Sequence, residues 1–257
     1  MTPKYGLVSI ITPTYNCASF ISETIRCVLN QIYTDWELII VDDCSTDNTQ
    51  KIVDEFRNQD NRIKYFCLGT NSGAAVARNK ALTMANGRWV AFLDSDDLWP
   101  PEKLINQIQF MVDNRIHFSY TEYEEIDEDS QSLGILVSGP KHITRCGMYS
   151  YCWPGCLTVM YDRNYIGDIQ IIPIKKNNDY AIWLKAIHSS DCYLLKSNLA
   201  KYRKRNGSIS NSSYSDLIKW HYRLFRKTEL FSAPVSILLT LNNLFWGVIK
   251  KLIYVKK

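Results

Sequence analysis

Apolar positions recur along the first two-fifths of the chain with two alternating periods. Leu7 to Ile11 is a nearly continuous apolar run of strand length, after which Ile21, Ile25, Val28, Leu29 and Ile32 return at helical spacing. Trp36 to Val41 predicts a second strand, ending on Asp42 and Asp43. Asp47-Asn48-Thr49 supplies the side chains that cap a helix, whose apolar face is Ile52, Val53 and Phe56. Ile63 to Phe66 predicts a third strand. Ala74, Ala77, Ala81 and Ala85 then mark a helix of small residues suited to lie close against a sheet, and Gly87 stops it. Trp89 to Leu93 predicts a fourth strand, with Asp94-Ser95-Asp96-Asp97 at its end.

Strands that are apolar throughout and alternate with helices predict an α/β fold. Its central sheet is mostly parallel, with helices on both faces. In such sheets ligands bind beyond the carboxyl ends of the strands. Asp42-Asp43 and Asp94 to Asp97 both fall there, so the two acidic clusters share one edge of the sheet.

Beyond the fourth strand the pattern is looser. Pro100-Pro101-Glu102 opens a helix with proline in its first turn, and Leu104, Ile105, Ile108 and Met111 form its buried face. The acidic stretch Glu122 to Asp129 reads as a solvated hairpin or loop. Gly139 to Gly155 carries no readable period. Tyr180 to Ile187 predicts a helix, and Leu194, Leu195 and Ala200 a last strand. Asn206-Gly207-Ser208 and Asn211-Ser212-Ser213 read as a polar loop.

The tail changes character. Leu217 to Leu230 is helical and mixes basic with aromatic residues. Ala233 to Ile249 is strongly apolar but interrupted by Asn242 and Asn243, and lysines follow it. A bilayer span needs about 20 consecutive apolar residues. The features fit a helix lying in a membrane interface, and equally a helix packed on the domain or a dimer contact.

Of the 257 residues, 46% are hydrophobic, enough for a sizeable core; the formal charge of +4 demands neither nucleic acid nor membrane as a partner. No basic stripe lies outside the tail, so no nucleic-acid role is expected. The eight cysteines form no Cys-x-x-Cys pair and the four histidines are scattered, which excludes a zinc site of ordinary spacing and reads as reduced thiols. The opening apolar run is too short for a signal peptide and meets Thr12-Pro13, so the catalytic part is expected in the cytoplasm.

Candidate chemistry gathers at the strand ends. Pro13 and Tyr15 offer a wall against a flat ring. Adjacent carboxylates such as Asp42-Asp43 repel unless donors or a ligand compensate, and one of them suits a base or ribose; a helix cap is the plainer use. Three carboxylates in four residues, Asp94, Asp96 and Asp97, are costly unless a cation sits among them, and hard oxygen ligands suit magnesium or manganese. Gly73 at a helix opening and Arg78 one turn later are placed to meet a phosphate or a base. Asp179, taken singly, is a helix cap.

Taken together, Val8 to Asn16, Asp35 to Asp47, Gly73 to Asn79 and Asp94-Ser95-Asp96-Asp97-Leu98-Trp99 closely resemble the family 2 glycosyltransferases, which have the GT-A fold. The resemblance is strong over about residues 7–112 and continues more weakly through Asn178 to Trp183 and Tyr202-Arg203 to Ser210. The whole is similar to bacterial enzymes that build capsule, O-antigen or teichuronic acid chains. It implies a GT-A domain over residues 1–213, with a nucleotide-sugar half at about 1–112 and an acceptor half at about 113–213. A helical, membrane-associating tail occupies 214–257.

The resemblance also implies roles. Pro13, Tyr15, Asp42 and Asp43 form the nucleoside pocket, with Arg78 near the nucleotide and Asp94 and Ser95 toward the ribose or donor sugar. Asp96 ligates a divalent metal, manganese or magnesium. Asp179 is the general base of an inverting displacement, and Trp183 shapes the acceptor side. The donor is a nucleotide sugar, with UDP favoured; the acceptor is a glycan or lipid-linked glycan at the inner face of the cytoplasmic membrane. Two departures stand out: Asn178-Asp179 where many relatives carry Glu-Asp, and Arg205 where many carry histidine. Arg205 is then expected to contact acceptor or phosphates. Two other readings compete, a catalytically degenerate nucleotide-sugar-binding protein and an Asp-x-Asp phosphotransferase. In the second, the motif would normally end the first strand rather than the fourth.

Overall fold

A computed structural model describes residues 5–205 and 214–256. The polar loop expected around Asn206 to Ser213, and the tail boundary at 213/214, lie at or outside these limits. The first half runs β1 (Val8–Thr14), α1 (Ile21–Leu29), β2 (Trp36–Asp42), α2 (Thr49–Arg57), β3 (Ile63–Cys67), α3 (Ala74–Met84) and β4 (Trp89–Phe92). Strands β2 and β4 flank β1, β3 lies outside β2, and all pair in parallel.

The alternation of side chains along each strand explains why these strands are largely apolar on both faces. Val8 and Ile10 of β1, Leu38 and Ile40 of β2, and Trp89 and Ala91 of β4 enter one core with Ile25, Val28 and Val53 of α1 and α2. Ile11, Ile39, Val41, Val90 and Phe92 point the other way, into a core with Ala77 and Ala81 of α3. A strand buried on both faces has no polar face to show.

Gly87 does more than end a helix. A Cβ there would sit 2.6 Å from both the Leu7 carbonyl oxygen and the Ser9 nitrogen, so only glycine lets the chain pass this close to β1.

The second half is α4 (Lys103–Asp113), β5 (Phe118–Ile126), β6 (Ser132–Val137), β7 (His142–Ile143), α5 (Arg145–Ser150), β8 (Met160–Asp162), α6 (Arg163–Ile166), α7 (Asn178–Ala186) and β9 (Cys192–Arg203). Then come α8 (Tyr214–Lys227), α9 (Ala233–Ile253) and β10 (Val255–Lys256). The sheet turns antiparallel at β8, which pairs with both β4 and β5. Strand β9 runs parallel beside β5, β7 pairs with β9, and β6 joins β5 to the terminal strand β10.

Three local expectations shift. Pro100 and Pro101 precede helix α4 rather than opening it: its first helical residue is Lys103, whose N–H donates to the Pro100 carbonyl at 3.1 Å. The acidic stretch is not all solvated, because Glu122 to Ile126 belong to β5 and only the residues after them form the hairpin turn. The unreadable segment after Gly139 holds β7 and α5, both too short to show a period.

The tail is packed on the domain. Leu224 and Phe225 of α8 are fully buried in the same core as Tyr180 and Trp183 of α7.

Candidate active site

The loops after β1 and β2 are stitched together. Asn16 N–H donates to Ser45 Oγ at 2.8 Å, and Thr46 N–H returns a bond to Asn16 Oδ1 at 2.8 Å. Asp47, foreseen as a cap, does both jobs: one oxygen accepts from Thr49 N–H at 3.0 Å and the other from Ala18 N–H at 3.0 Å. Pro13 is buried within β1, while Tyr15 stands 46% exposed at the strand's end, free to cover a flat ring.

Asp42 and Asp43 resolve their mutual repulsion through donors. Asp42 accepts from Ser45 N–H and Oγ–H and from the Tyr65 hydroxyl at 2.7 Å. Asp43 accepts from Ser72 N–H at 2.6 Å and Gly73 N–H at 2.7 Å, one on each oxygen. It thereby holds the turn into α3, where Gly73 adopts φ 91°, a conformation that favours glycine.

The acidic turn after β4 is fastened from beneath. The Ser95 carbonyl accepts from Cys17 Sγ–H and Thr24 Oγ–H, and the Asp97 carbonyl accepts from Thr24 as well. Asp97 is buried, with one oxygen accepting from Arg203 N–H at 2.9 Å; burial, then Asp96 and Asp94, push its carboxyl well above the usual range. This residue is structural, whereas Asp94 and Asp96 remain partly open to solvent.

Arg203, matched in the resemblance, had no role assigned to it from the sequence. Its fully buried side chain donates to the Asp96 carbonyl at 2.7 Å, the Glu128 carbonyl at 2.8 Å, Ser130 Oγ at 2.9 Å and Glu23 Oε2 at 2.8 Å. It ties the acidic turn to α1 and to the β5–β6 hairpin. The signal was present: an arginine embedded in a strand needs many acceptors, and carbonyls of a neighbouring turn supply them.

Two carboxylates of the turn meet arginines. Arg78 donates to Asp94 Oδ1 at 2.6 Å and to Asn178 Oδ1, joining β4's end to the start of α7. Arg78, expected near the nucleotide, is buried, with Nη1 and Nη2 on these protein partners. Arg205 Nε pairs with Asp96 Oδ2 at 2.6 Å over the ring of Phe20. Burial raises the Asp96 carboxyl above its ordinary value, Arg205 opposes this, and Asp94 adds to it.

Asp179 is half-buried in the first turn of α7. Burial lifts its carboxyl above the ordinary value; the Arg78 charge pulls it back and the Asp94 charge pushes it further up. The structure thus brings Arg78, Asp94, Asn178 and Asp179 into one cluster, from three elements far apart in sequence. Trp183 does not join it. Its indole is fully buried, edge-on to Phe92 at 4.9 Å between centroids, so it is a core residue rather than an acceptor contact.

Among the described residues no three His, Cys, Asp or Glu side chains converge as a cation cage. Asp94 and Asp96 still fit a hard divalent cation, since such ions are often held by one or two carboxylates and completed by substrate phosphates.

The profile of Glycosyl transferase family 2 matches residues 9–136. The chain is 44% identical to the putative teichuronic acid biosynthesis glycosyltransferase TuaG of Bacillus subtilis, over 89% of this chain and 91% of that one. It is 41% identical to the UDP-Glc:alpha-D-GlcNAc-diphosphoundecaprenol beta-1,3-glucosyltransferase WfgD of Escherichia coli, over 82% of each chain. The crystal structure of S. aureus TarS 1-349 in complex with UDP-GlcNAc superposes with a TM-score of 0.73 at 24% identity, covering 92% of this chain and 71% of that one. That likeness shows the GT-A fold. With acidic clusters at the ends of parallel strands and a relative this similar along nearly its whole length, the chain is a glycosyltransferase and belongs to glycosyl transferase family 2.

Proposed function

We propose that the protein transfers a sugar from a nucleotide sugar, UDP-linked in the first instance, to an acceptor hydroxyl with inversion at the anomeric carbon. The acceptor is a lipid-linked glycan of the cytoplasmic membrane's inner face. Support for donor and acceptor comes from the E. coli relative, by name a transferase from UDP-Glc to an alpha-D-GlcNAc-diphosphoundecaprenol. The observation that carries the reaction is the cluster of Asp179, Asp94 and Arg78, in which a half-buried carboxylate has a raised pKa beside a donor-side carboxylate.

In this reading Asp179 accepts the proton of the acceptor hydroxyl as it attacks. A base with a raised pKa holds that proton better, and the Arg78 charge opposes the rise that burial causes. Tyr15 covers the base of the nucleotide, with Pro13 behind it and Asp42 and Asp43 holding the adjoining loops. Asp94, fixed by Arg78, faces the ribose or donor sugar, with Ser95 beside it. Asp96 would hold the divalent metal, with Asp94 close by, and a bound metal would offset negative charge on the departing diphosphate. Arg205, already at Asp96, turns from the carboxylate to the phosphates when the donor arrives. Residues 1–213 act as the catalytic unit and 214–257 as its accessory tail.

A donor screen tests this. Purified protein with manganese is incubated with UDP, GDP and dTDP sugars and nucleotide release is followed. Release from one donor, lost on chelation and in Asp96→Ala, supports the reading. No release and no calorimetric binding of any of the three nucleotides would refute it.

A further inference from the structure

Helix α9 is apolar on the side away from the protein. The side it turns inward is mixed: Leu239 and Trp246 pack against the core beside Ser236 at 0%, Thr240 at 3% and Asn243 at 2% exposed, and buried Lys250 donates to the Trp153 carbonyl at 3.0 Å. The positions it turns away are apolar: Leu238 is 66%, Phe245 60% and Leu252 75% exposed, with Ile237, Leu241 and Val248 among them. Thr240 Oγ–H donates to the Ser236 carbonyl at 2.7 Å, and Asn243 Nδ2 donates to the Tyr180 hydroxyl at 3.0 Å. A helix on a water-facing surface has the opposite sidedness.

We infer that α9 lies in the plane of an anionic lipid surface, with its outward apolar face embedded and its inner face carrying the catalytic domain. The proposal stands on this sidedness and not on the transfer reaction.

Three observations favour lipid over other occupants. The exposed apolar positions from Ile237 round to Ile253 span an arc of about 160° at 100° per residue, wider than the narrow seam of a two-helix contact. The helix contains no acidic residue, and residues 214–257 carry eight Lys or Arg against two Asp or Glu, which complements an anionic surface. Exposed Lys251 lies in the last turn of the helix, beside the apolar Leu252 and Ile253.

The helix has the length and composition to cross a bilayer, with 21 residues and a mean hydropathy of 1.2 over its best stretch. Its surroundings argue for lying flat. The chain entering it, α8, anchors Leu224 and Phe225 in the domain core, and the chain leaving it pairs as β10 with β6. Both ends are therefore fixed to one body, and a crossing would tear one of them away.

The test is flotation of the full-length protein with vesicles of phosphatidylglycerol and phosphatidylethanolamine, beside vesicles of phosphatidylcholine alone. Sedimentation velocity without lipid runs in parallel. The comparison variant is Leu241→Glu with Phe245→Glu; both positions are exposed, and its circular dichroism and melting are checked against wild type. The expected result is a monomer that floats with the anionic vesicles, with recovery falling roughly tenfold in the variant and on phosphatidylcholine. Three results would each overturn the proposal. The first is no flotation of the wild type. The second is flotation that the variant leaves unchanged. The third is a wild-type dimer that the variant dissociates without any lipid binding, which would assign the face to a second copy.

Discussion

Asn243 of α9 donates a 3.0 Å hydrogen bond to the hydroxyl of Tyr180, the residue that follows Asp179 in α7. That hydroxyl in turn donates to the Met148 carbonyl at 2.6 Å, so one buried oxygen joins the terminal helix, helix α5 and the helix that carries the proposed base. Tyr180→Phe leaves the Asn243 amide and the Met148 carbonyl without this partner. The expected loss is about 1–3 kcal/mol of unfolding free energy in a urea titration. Asn243→Leu should couple with it non-additively in a double-mutant cycle, because both changes remove the same bond.

Asp179→Asn should lower turnover at least about a hundredfold while donor binding stays within a few-fold of wild type. Calorimetry with the nucleotide and single-turnover transfer measure the two separately. Near-normal turnover in this variant would remove Asp179 from the role of base.

The raised pKa of Asp179 predicts an acid limb in the rate profile above that of an ordinary aspartate. The base works when ionised, so the rate climbs as pH rises through that value. Asn178→Glu should move the limb to higher pH. A carboxylate at 178 would pair with Arg78 and weaken the positive charge that now holds the Asp179 pKa down. A limb that moves to lower pH, or not at all, would break the proposed link between Arg78 and Asp179.

Asp96 and Arg205 make a matched pair of expectations. Asp96→Ala should weaken manganese-dependent donor binding; unchanged manganese affinity would take Asp96 out of the metal site. Arg205→Gln removes a cation that now pairs with the Asp96 carboxylate. Manganese binding without nucleotide, followed by electron paramagnetic resonance, should tighten by roughly fivefold.

Lys103 is buried with its ammonium donating to the Thr158 carbonyl at 2.9 Å, and burial holds its pKa well below 10.5. The unfolded chain binds the proton more tightly than the folded one. Stability from this residue is therefore gained as pH rises from the lowered folded value toward 10.5, and lost as pH falls. Lys103→Met should flatten the stability profile across that window in denaturant titrations. The Thr158 carbonyl keeps a partner in the variant, because Gln107 Nε2 also donates to it at 3.0 Å.

The parallel half of the fold was legible because both of its signals are local. Two-sided apolar strands and one-faced helices write their periods directly into the chain, from β1 to β4. The acidic turn drew notice by its charge density, and Asp179 only through the resemblance. Their partners were not legible, because a hydrogen bond between Arg78 and Asn178 joins residues a hundred positions apart and leaves no spacing to read. Trp183 was misplaced for a related reason: one turn past Asp179 on the same helix, it points into the core instead of the cleft. The apolar run of α9 announced a greasy helix, but composition alone does not tell which face is turned inward.

Strand β10 pairs Val255 and Lys256 with Val137 and Leu136 of β6, whose other side is held by β5. During synthesis, β6 is therefore made long before the strand that covers its outer edge. Until Val255 and Lys256 emerge, the backbone groups they cover are open to any passing extended chain. Newly made protein should be most prone to strand-mediated association in that interval, and removing Val255 and Lys256 would make the interval permanent.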